Sequence, residues 1–369
     1  MNKESKKIRL ATVFSGIGAV EQALFKKKIN YQIVFACDNG EREISMTYDD
    51  IVSYCHKNNY SHEQINNYVK SIYSQTKKPN RMKESYFANY KISERSWFDD
   101  IRFIDGNEFK DKVDLFVGGS PCQSFSMMGK RAGLEDARGT LFYEYARLVK
   151  EIQPRVFIYE NVPGMVNHDN GNTWKVIREI FSSLGYKFYY KILNSKDFGI
   201  PQNRQRLFVV GFKDNNVSFS FPKEIELNKT MFDFLDENTE VKHYLGKKGF
   251  EFVTSHPGRA KVNENIIRTQ KANQQFNWNG DFVFEELNYK KHTKDILDRA
   301  FIGNYNGKKG VIRQLSHREC HRLMGFSDDY KIVVPNVWAY RQAGNSIVVN
   351  VLEHIIDEIM KVISNDKEN

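Results

Sequence analysis

Residues 8–25, IRLATVFSGIGAVEQALF, read as a strand, a glycine turn and a helix. Apolar and β-branched residues run from Ile8 to Val13, the turn holds Gly16 and Gly18, and helix-forming residues follow. Such a turn aims backbone N–H groups and a helix N-terminus at a ligand. The third glycine of a dinucleotide fingerprint is missing, and no lysine stands where a phosphate-binding P-loop has one. A nucleoside-type cofactor without an obligatory phosphate fits best. The next strand, YQIVFACDNG (31–40), ends in Asp38, placed about 20 residues on, where an acid accepts ribose hydroxyls.

Further along, DDIRFID (99–105), VDLFVGG (113–119) and PRVFIYENVPG (154–164) look like strand ends. TLFYEYARLVKEIQ and TWKVIREIFSSLG have helical spacing, and KFYYKIL and QRLFVVGF read as two more strands. Alternation at these lengths predicts an α/β fold with a parallel, doubly wound, Rossmann-like sheet. From about 213 to 312 the chain turns rich in Asn, Lys and Gly, and predicts a second, smaller, irregular domain. The C-terminal stretch NSIVVNVLEHIIDEIMKVI puts Ile347, Val348, Val351, Leu352, Ile355, Ile356, Ile359 and Met360 on one helix face. Asn345 or Ser346 could cap its start. Residues 49–98 are basic and tyrosine-rich. They read as a solvated insertion or as an extra nucleic-acid contact, with lysines on phosphates and tyrosines as stacking surfaces.

The chain has 369 residues, 40% of them hydrophobic, which is enough for a large core. A net charge of +9 points to an anionic partner, with nucleic acid the commonest. No apolar run reaches the length of a membrane span. Cys37, Cys55, Cys122 and Cys320 show neither disulfide-like nor zinc-like spacing, so a reducing cytoplasm is the simplest home.

Three stretches carry chemistry. SPCQSFS sets Cys122 on a turn at the carboxyl end of a strand, where ligands of open α/β sheets bind. A thiolate there is a nucleophile, and Lys130 and Arg131 could favour it; the alternative is an inert small hydrophobe. FIYENVPG brings Glu160 to a strand end behind an apolar wall that would keep its proton on, which suits a general acid or a hydrogen bond to a ring nitrogen. A turn cap is the alternative. QNRQR places Arg204 and Arg206 two apart on a strand, pointing the same way, for a phosphate or a polarised carbonyl oxygen. A surface salt-bridge pair would explain them equally.

Taken together, FSGIG, SPCQSFS, ENV, QNRQR, RQLSHRECHRLMGF and GNS resemble the DNA (cytosine-5) methyltransferases of bacterial restriction-modification type, in that family's order. The resemblance spans residues 10–212 and 313–355. It implies Cys122 as nucleophile and Glu160 on the cytosine ring nitrogen and amino group. Arg206 and Arg204 would support the ring carbonyl and the catalytic loop. Phe14, Gly16 and Gly18 would line S-adenosyl-L-methionine, Asp38 its ribose, and Asp100 and Ile101 its adenine, with Asn345 and Ser346 closing the pocket. S-adenosyl-L-homocysteine would leave, and no metal is expected. The loop SMMGKRAGLEDARG would close over a flipped base, with Met128 filling the vacated stack. Two departures stand out: Asn39 follows the ribose acid where an aromatic is usual, and the Thr-Leu pair of family recognition domains is not identifiable in 213–312.

The implied organisation is a catalytic domain at 1–212 with the insertion 49–98, a target-recognition domain at 213–325, and a hinge with a returning helix at 326–369. The implied partner is double-stranded DNA, with a cognate restriction endonuclease as a functional and not a physical partner. A monomer in the bacterial cytoplasm, on the nucleoid when bound, completes the expectation. The rival readings are the same chemistry on tRNA, a catalytically inactive DNA-binding relative, and a nicotinamide oxidoreductase, which gives Cys122 and Glu160 no use.

Overall fold

Apart from DDIRFID, which follows its strand, Trp97–Phe98, and turns at Ile101–Phe103, where Asp100 caps a short helical turn, the apolar runs identified above become the strands of one mixed sheet. In the computed structural model, which describes residues 7–121, 141–273 and 278–365, these are β1 (Ile8–Val13), β2 (Tyr31–Cys37), β3 (Trp97–Phe98), β4 (Leu115–Gly118), β5 (Val156–Asn161), β6 (Lys187–Asn194) and, after a two-residue β7 (Gln202–Asn203) that pairs elsewhere, β8 (Gln205–Phe212). Their order is β3-β2-β1-β4-β5-β8-β6. The first five run parallel. Strand order therefore reverses between β1 and β4, the switch point where open α/β sheets bind ligands.

One expectation is corrected here. β8 runs antiparallel to β5, with Glu160 opposite Phe208 and Asn161 opposite Leu207. The sheet is mixed and not wholly parallel. Its buried stretch Leu207–Val210 looks the same in either direction, because burial on both faces leaves no directional signal. At Gly211 a Cβ would lie 2.1 Å from the Phe157 ring, so only glycine lets the two strands approach.

Helices α1 (Ala19–Lys26), α5 (Leu141–Ile152) and α6 (Asn172–Ser183) accompany these strands. Phe142, Tyr145, Phe157, Tyr159 and Phe181 are buried in one aromatic cluster with α5 and α6 against the sheet. Edge-to-face and stacked ring pairs fill it, adding about 0.5–1.5 kcal/mol per pair beyond burial.

The insertion is ordered. It forms α2 (Tyr48–Lys57), α3 (His62–Ser74) and α4 (Arg81–Asn89). Thr47 with Asp50, and Ser61 with Gln64, make reciprocal capping boxes at the first two. Ile51, Cys55, Val69, Ile72 and Tyr73 form its own small core.

The chain divides into two units, residues 1–193, 205–222 and 353–369 in the first, and 194–204 and 223–352 in the second. These bounds differ from the expected 1–212, 213–325 and 326–369, because short segments return across the division. The second unit holds more regular structure than its Asn-, Lys- and Gly-rich sequence indicates. β9 (Ala260–Val262), β11 (Gly280–Glu286), β12 (Gly303–Tyr305) and β13 (Lys308–Gln314) form a sheet in the order β12-β13-β11-β9, while β10 (Ile267–Arg268) pairs with β7. α7 (Lys247–Ser255) packs on this sheet through Phe250 and Val253, and α8 (Lys294–Arg299), α9 (His317–Arg322) and α10 (Asn336–Asn345) complete the unit. α11 (Val349–Asn365) is the C-terminal helix foreseen from its apolar face, with Val351, Leu352, Ile355, Ile356 and Ile359 buried. Neither Asn345 nor Ser346 opens it. Asn345 is the last residue of α10, and Ser346 caps that helix through its N–H to the Gln342 and Ala343 carbonyls.

Candidate active site

Five parallel strands bring their carboxyl ends to one edge, and the antiparallel β8 starts at that same edge. This puts the turns after β1, β2, β3, β4 and β5, together with Arg206, side by side.

At the β4 and β5 ends the chain is pinned closely. The Ser120 and Tyr159 hydroxyls are 2.7 Å apart, and the Asn161 side-chain amide donates to the Ser120 carbonyl at 2.9 Å. A Cβ on Gly119 would lie 2.8 Å from the Glu160 carbonyl oxygen and 2.9 Å from its Oε2. The main chain thus passes against the Glu160 carboxylate as it leads toward Cys122. Arg206 Nε lies 3.1 Å from Glu160 Oε1, with both side chains mostly buried. The expected bare apolar wall behind Glu160 is therefore completed by a guanidinium. Cys122, Lys130, Arg131, Met128 and the loop expected to close lie outside the described residues.

At the β1 end, Phe14, Gly16 and Gly18 all have positive φ, at 53°, 53° and 79°. Phe14 holds a conformation rare for a side-chain-bearing residue, a strain typical of ligand clamps. A Cβ on Gly16 would meet nothing nearer than the Phe14 carbonyl oxygen at 4.0 Å. Room is therefore left beside Asp38, whose two oxygens accept the Gly16 N–H at 2.9 Å and the Gly40 N–H at 2.8 Å. Burial pushes the Asp38 carboxyl up, and those two backbone donors pull it back. Each oxygen keeps a second lone pair. An open backbone cradle next to such an acid fits an adenosyl group, whose ribose hydroxyls are donors.

The insertion supplies props for this edge that sequence reasoning missed. The Tyr90 hydroxyl donates to the Gly18 carbonyl at 2.7 Å, and the Asn80 amide to the Asp38 carbonyl at 2.8 Å. The Tyr73 hydroxyl donates to Asp100 Oδ2 at 2.9 Å. Asp100 also caps the Ile101–Phe103 turn, accepting from the Arg102 N–H at 3.1 Å and from its guanidinium. Arg42 pairs with Asp99 and donates to the Tyr73 carbonyl. Ile101 is buried beneath, its carbonyl held by Arg147 of α5 at 3.1 Å. The Ser61–Gln64 capping signal could have exposed one of these helices; no sequence signal marks the tyrosines.

Arg204 and Arg206 do not act as a pair. Arg204 falls in the break between β7 and β8, so the two-residue alternation of a strand does not apply to it. It is buried in the second unit and donates to the carbonyls of Gln270 (2.7 Å), Gly344 (3.1 Å) and Ser346 (2.8 Å). Asn345 and Ser346 belong to that unit as well. The same unit contains a cavity of about 290 Å³ lined by Asn203, Arg268, Thr269, Lys271, Asn279, Gly280 and Asp281. No helix among the described residues is long and apolar enough to cross a membrane.

The switch-point cradle and the strand-end carboxylate define an α/β enzyme that uses a nucleoside cofactor. Comparison with known proteins narrows this. The C-5 cytosine-specific DNA methylase family model matches residues 8–361, and the chain belongs to that family. The type II methyltransferase M.HhaI of Haemophilus parahaemolyticus is 38% identical over 250 residues, covering 66% of this chain and 74% of the relative. M.HpaII of Haemophilus parainfluenzae is 36% identical over 265 residues, covering 69% and 74%. Among solved structures, the S. pombe Dnmt2 methyltransferase aligns with a TM-score of 0.66 at 17% identity, over 97% of this chain and 99% of that one. The chain is thus a DNA (cytosine-5) methyltransferase that uses S-adenosylmethionine.

Proposed function

We propose that the protein methylates one cytosine of a short duplex sequence through a covalent adduct at Cys122, as the modification enzyme of a restriction-modification system. The observation that carries this is the Glu160–Arg206 pair set against Gly119, three residues before Cys122. The type II relatives support the restriction-modification role. A monomer acting in the cytoplasm, with any endonuclease a separate protein, completes the reading.

S-adenosylmethionine supplies an electrophilic methyl group. Phe14, Gly16, Gly18, Asp38, Asp100 and Ile101 would hold it, and Asn345 and Ser346 stay in this assignment on the sequence motif alone. The target base must leave the helix, at a cost on the order of a few kcal/mol. The Cys122 thiolate then adds to C6 and breaks the ring's aromaticity. Glu160, oriented by Arg206, shares a proton with the ring nitrogen that takes up the displaced charge, an effect typically worth about 10²–10⁴-fold. The electron pair arrives at C5, which would take the methyl group, leaving S-adenosylhomocysteine to depart. A base then removes the C5 proton, and the C5–H electrons re-form the C5=C6 double bond and expel the Cys122 thiolate. In the second unit, the cavity with Asn203, Arg268, Lys271 and Asn279 offers hydrogen-bonding groups suited to base edges or phosphates.

The test is Cys122→Ala. Duplex DNA binding is retained, while methyl transfer and the cofactor-dependent adduct with 5-fluorocytosine duplex both vanish; retained turnover overturns the mechanism. Running tRNA beside duplex DNA in the same assay separates the rival substrate.

A further inference from the structure

We propose that Glu240, His243 and His317 form a binding site for a transition-metal dication of the zinc type in the second unit. The three stand far apart in sequence. The chain brings one ligand atom from each to within 4.8 Å of the others. His243 ends a short turn, Val241–His243, and His317 is the first residue of α9, after its N-cap Ser316.

The hydrogen bonds around His243 fix its tautomer. The Tyr340 hydroxyl donates its one proton to the Leu315 carbonyl at 2.8 Å, so towards His243 Nδ1, at 3.1 Å, it can only accept. Nδ1 therefore carries the hydrogen, and Nε2 presents a bare lone pair. That Nε2 is buried, on a side chain 3% exposed, and has no hydrogen-bond partner among the described residues. His317 Nδ1 is likewise buried without a partner. Two orphaned imidazole nitrogens in one cluster are costly unless something binds them. A Lewis acid satisfies both.

Lys242 hydrogen-bonds one Glu240 oxygen at 2.6 Å, and a carboxylate has further lone pairs with which to meet a metal. Two imidazoles and a carboxylate suit zinc, whereas calcium and magnesium take oxygen ligands. Tyr340 orients the ligating ring as outer partners of metal-bound histidines do. The site would clamp the Glu240–His243 turn to the start of α9. It is separate from the methyl-transfer chemistry, for which no metal was expected. A second cluster, His62, Asp105 and Glu108, lacks these features. It is exposed, and His62 Nδ1 already sits 2.6 Å from Asp105.

The experiment uses untagged full-length protein stripped with a chelator and titrated with Co²⁺, read by its visible absorption, then with Zn²⁺ as competitor. The expected result is one Co²⁺ per chain with an imidazole-type tetrahedral spectrum that Zn²⁺ abolishes. Glu240→Gln, at an exposed position that does not threaten the fold, should weaken binding tenfold or more. His317→Ala should remove the spectrum, and His62→Ala should leave it intact. A wild-type protein that develops no such spectrum overturns the proposal, as does one whose spectrum survives both Glu240→Gln and His317→Ala or is lost in His62→Ala.

Discussion

A single methyl group at Gly119 would disturb the stretch that leads toward Cys122, the proposed nucleophile. A side chain at Gly119 would collide with both the backbone and the carboxylate of Glu160. Gly119→Ala must therefore shift either the chain leading to Cys122 or Glu160, the group proposed to meet the base. A misplacement of about 1 Å can cost on the order of 10²-fold, so kcat should fall about that far, beyond what a loss of about 1–3 kcal/mol of stability from the overpacked contact explains in a protein that is still folded. Unchanged kcat would mean the close approach is incidental. The two arginines should separate by readout. Arg206→Ala leaves Glu160 without its guanidinium and should lower kcat with little loss of stability. Arg204→Ala orphans three carbonyls and should cost about 3 kcal/mol in urea unfolding. Equal effects of the two on stability would sink this division. Glu160 was legible because four apolar or aromatic residues lead straight to it. The split between Arg204 and Arg206 was not, because spacing shows which way side chains point only where a strand is unbroken.

Among the elements, the insertion changes meaning most. Beyond the solvated or DNA-contacting readings its sequence offers, it props the strand-end edge through Tyr73, Asn80 and Tyr90. Tyr73→Phe removes one hydrogen bond to the Asp100 carboxylate while Arg102 still holds it. A loss of about 1 kcal/mol there corresponds to roughly fivefold weaker cofactor binding, with kcat at saturation unchanged. Calorimetric titration with S-adenosylhomocysteine measures this, and equal affinities would confine Tyr73 to packing. The helices of the doubly wound core were legible from their period, and its strands from short apolar runs bounded by turn residues. β8's direction was not, since it depends on the connection and not on the strand's residues. The sheet β12-β13-β11-β9 was hidden for a related reason: β9 and β12 are three residues each, too short to show alternation.

Over the whole molecule, the two units carry buried carboxylates of opposite pH behaviour. In the first, Glu21 of α1 is 1% exposed, and burial raises its carboxyl to about 7 against the hydrogen bonds from Tyr86 and Thr12. The folded state binds this proton more tightly than the unfolded chain, so its stabilisation is full below about 4.5 and is lost as pH rises through about 7. In the second, Glu285 is held down to about 2, its burial outweighed by Arg313, His292 and Lys291. Its stabilisation is present above about 4.5 and is lost as pH falls through about 2. Between pH 5 and 8 Glu21 titrates and Glu285 does not, so Glu21 should weaken the first unit by at most about 3 kcal/mol at ~1.4 kcal/mol per pH unit, while Asp281 of β11, which burial raises to about 6, gives the second unit a loss of the same sign that is nearly complete at lower pH. Hydrogen exchange, corrected for intrinsic rates, should show protection falling across α1 and β1 as pH rises through about 7, above the range near 6 where Asp281 acts on β11. Glu21→Gln mimics the protonated carboxyl and should flatten the first unit's dependence. A wild-type profile flat across α1 and β1 would mean that Tyr86 and Thr12 stabilise the ionised Glu21 enough to cancel its burial.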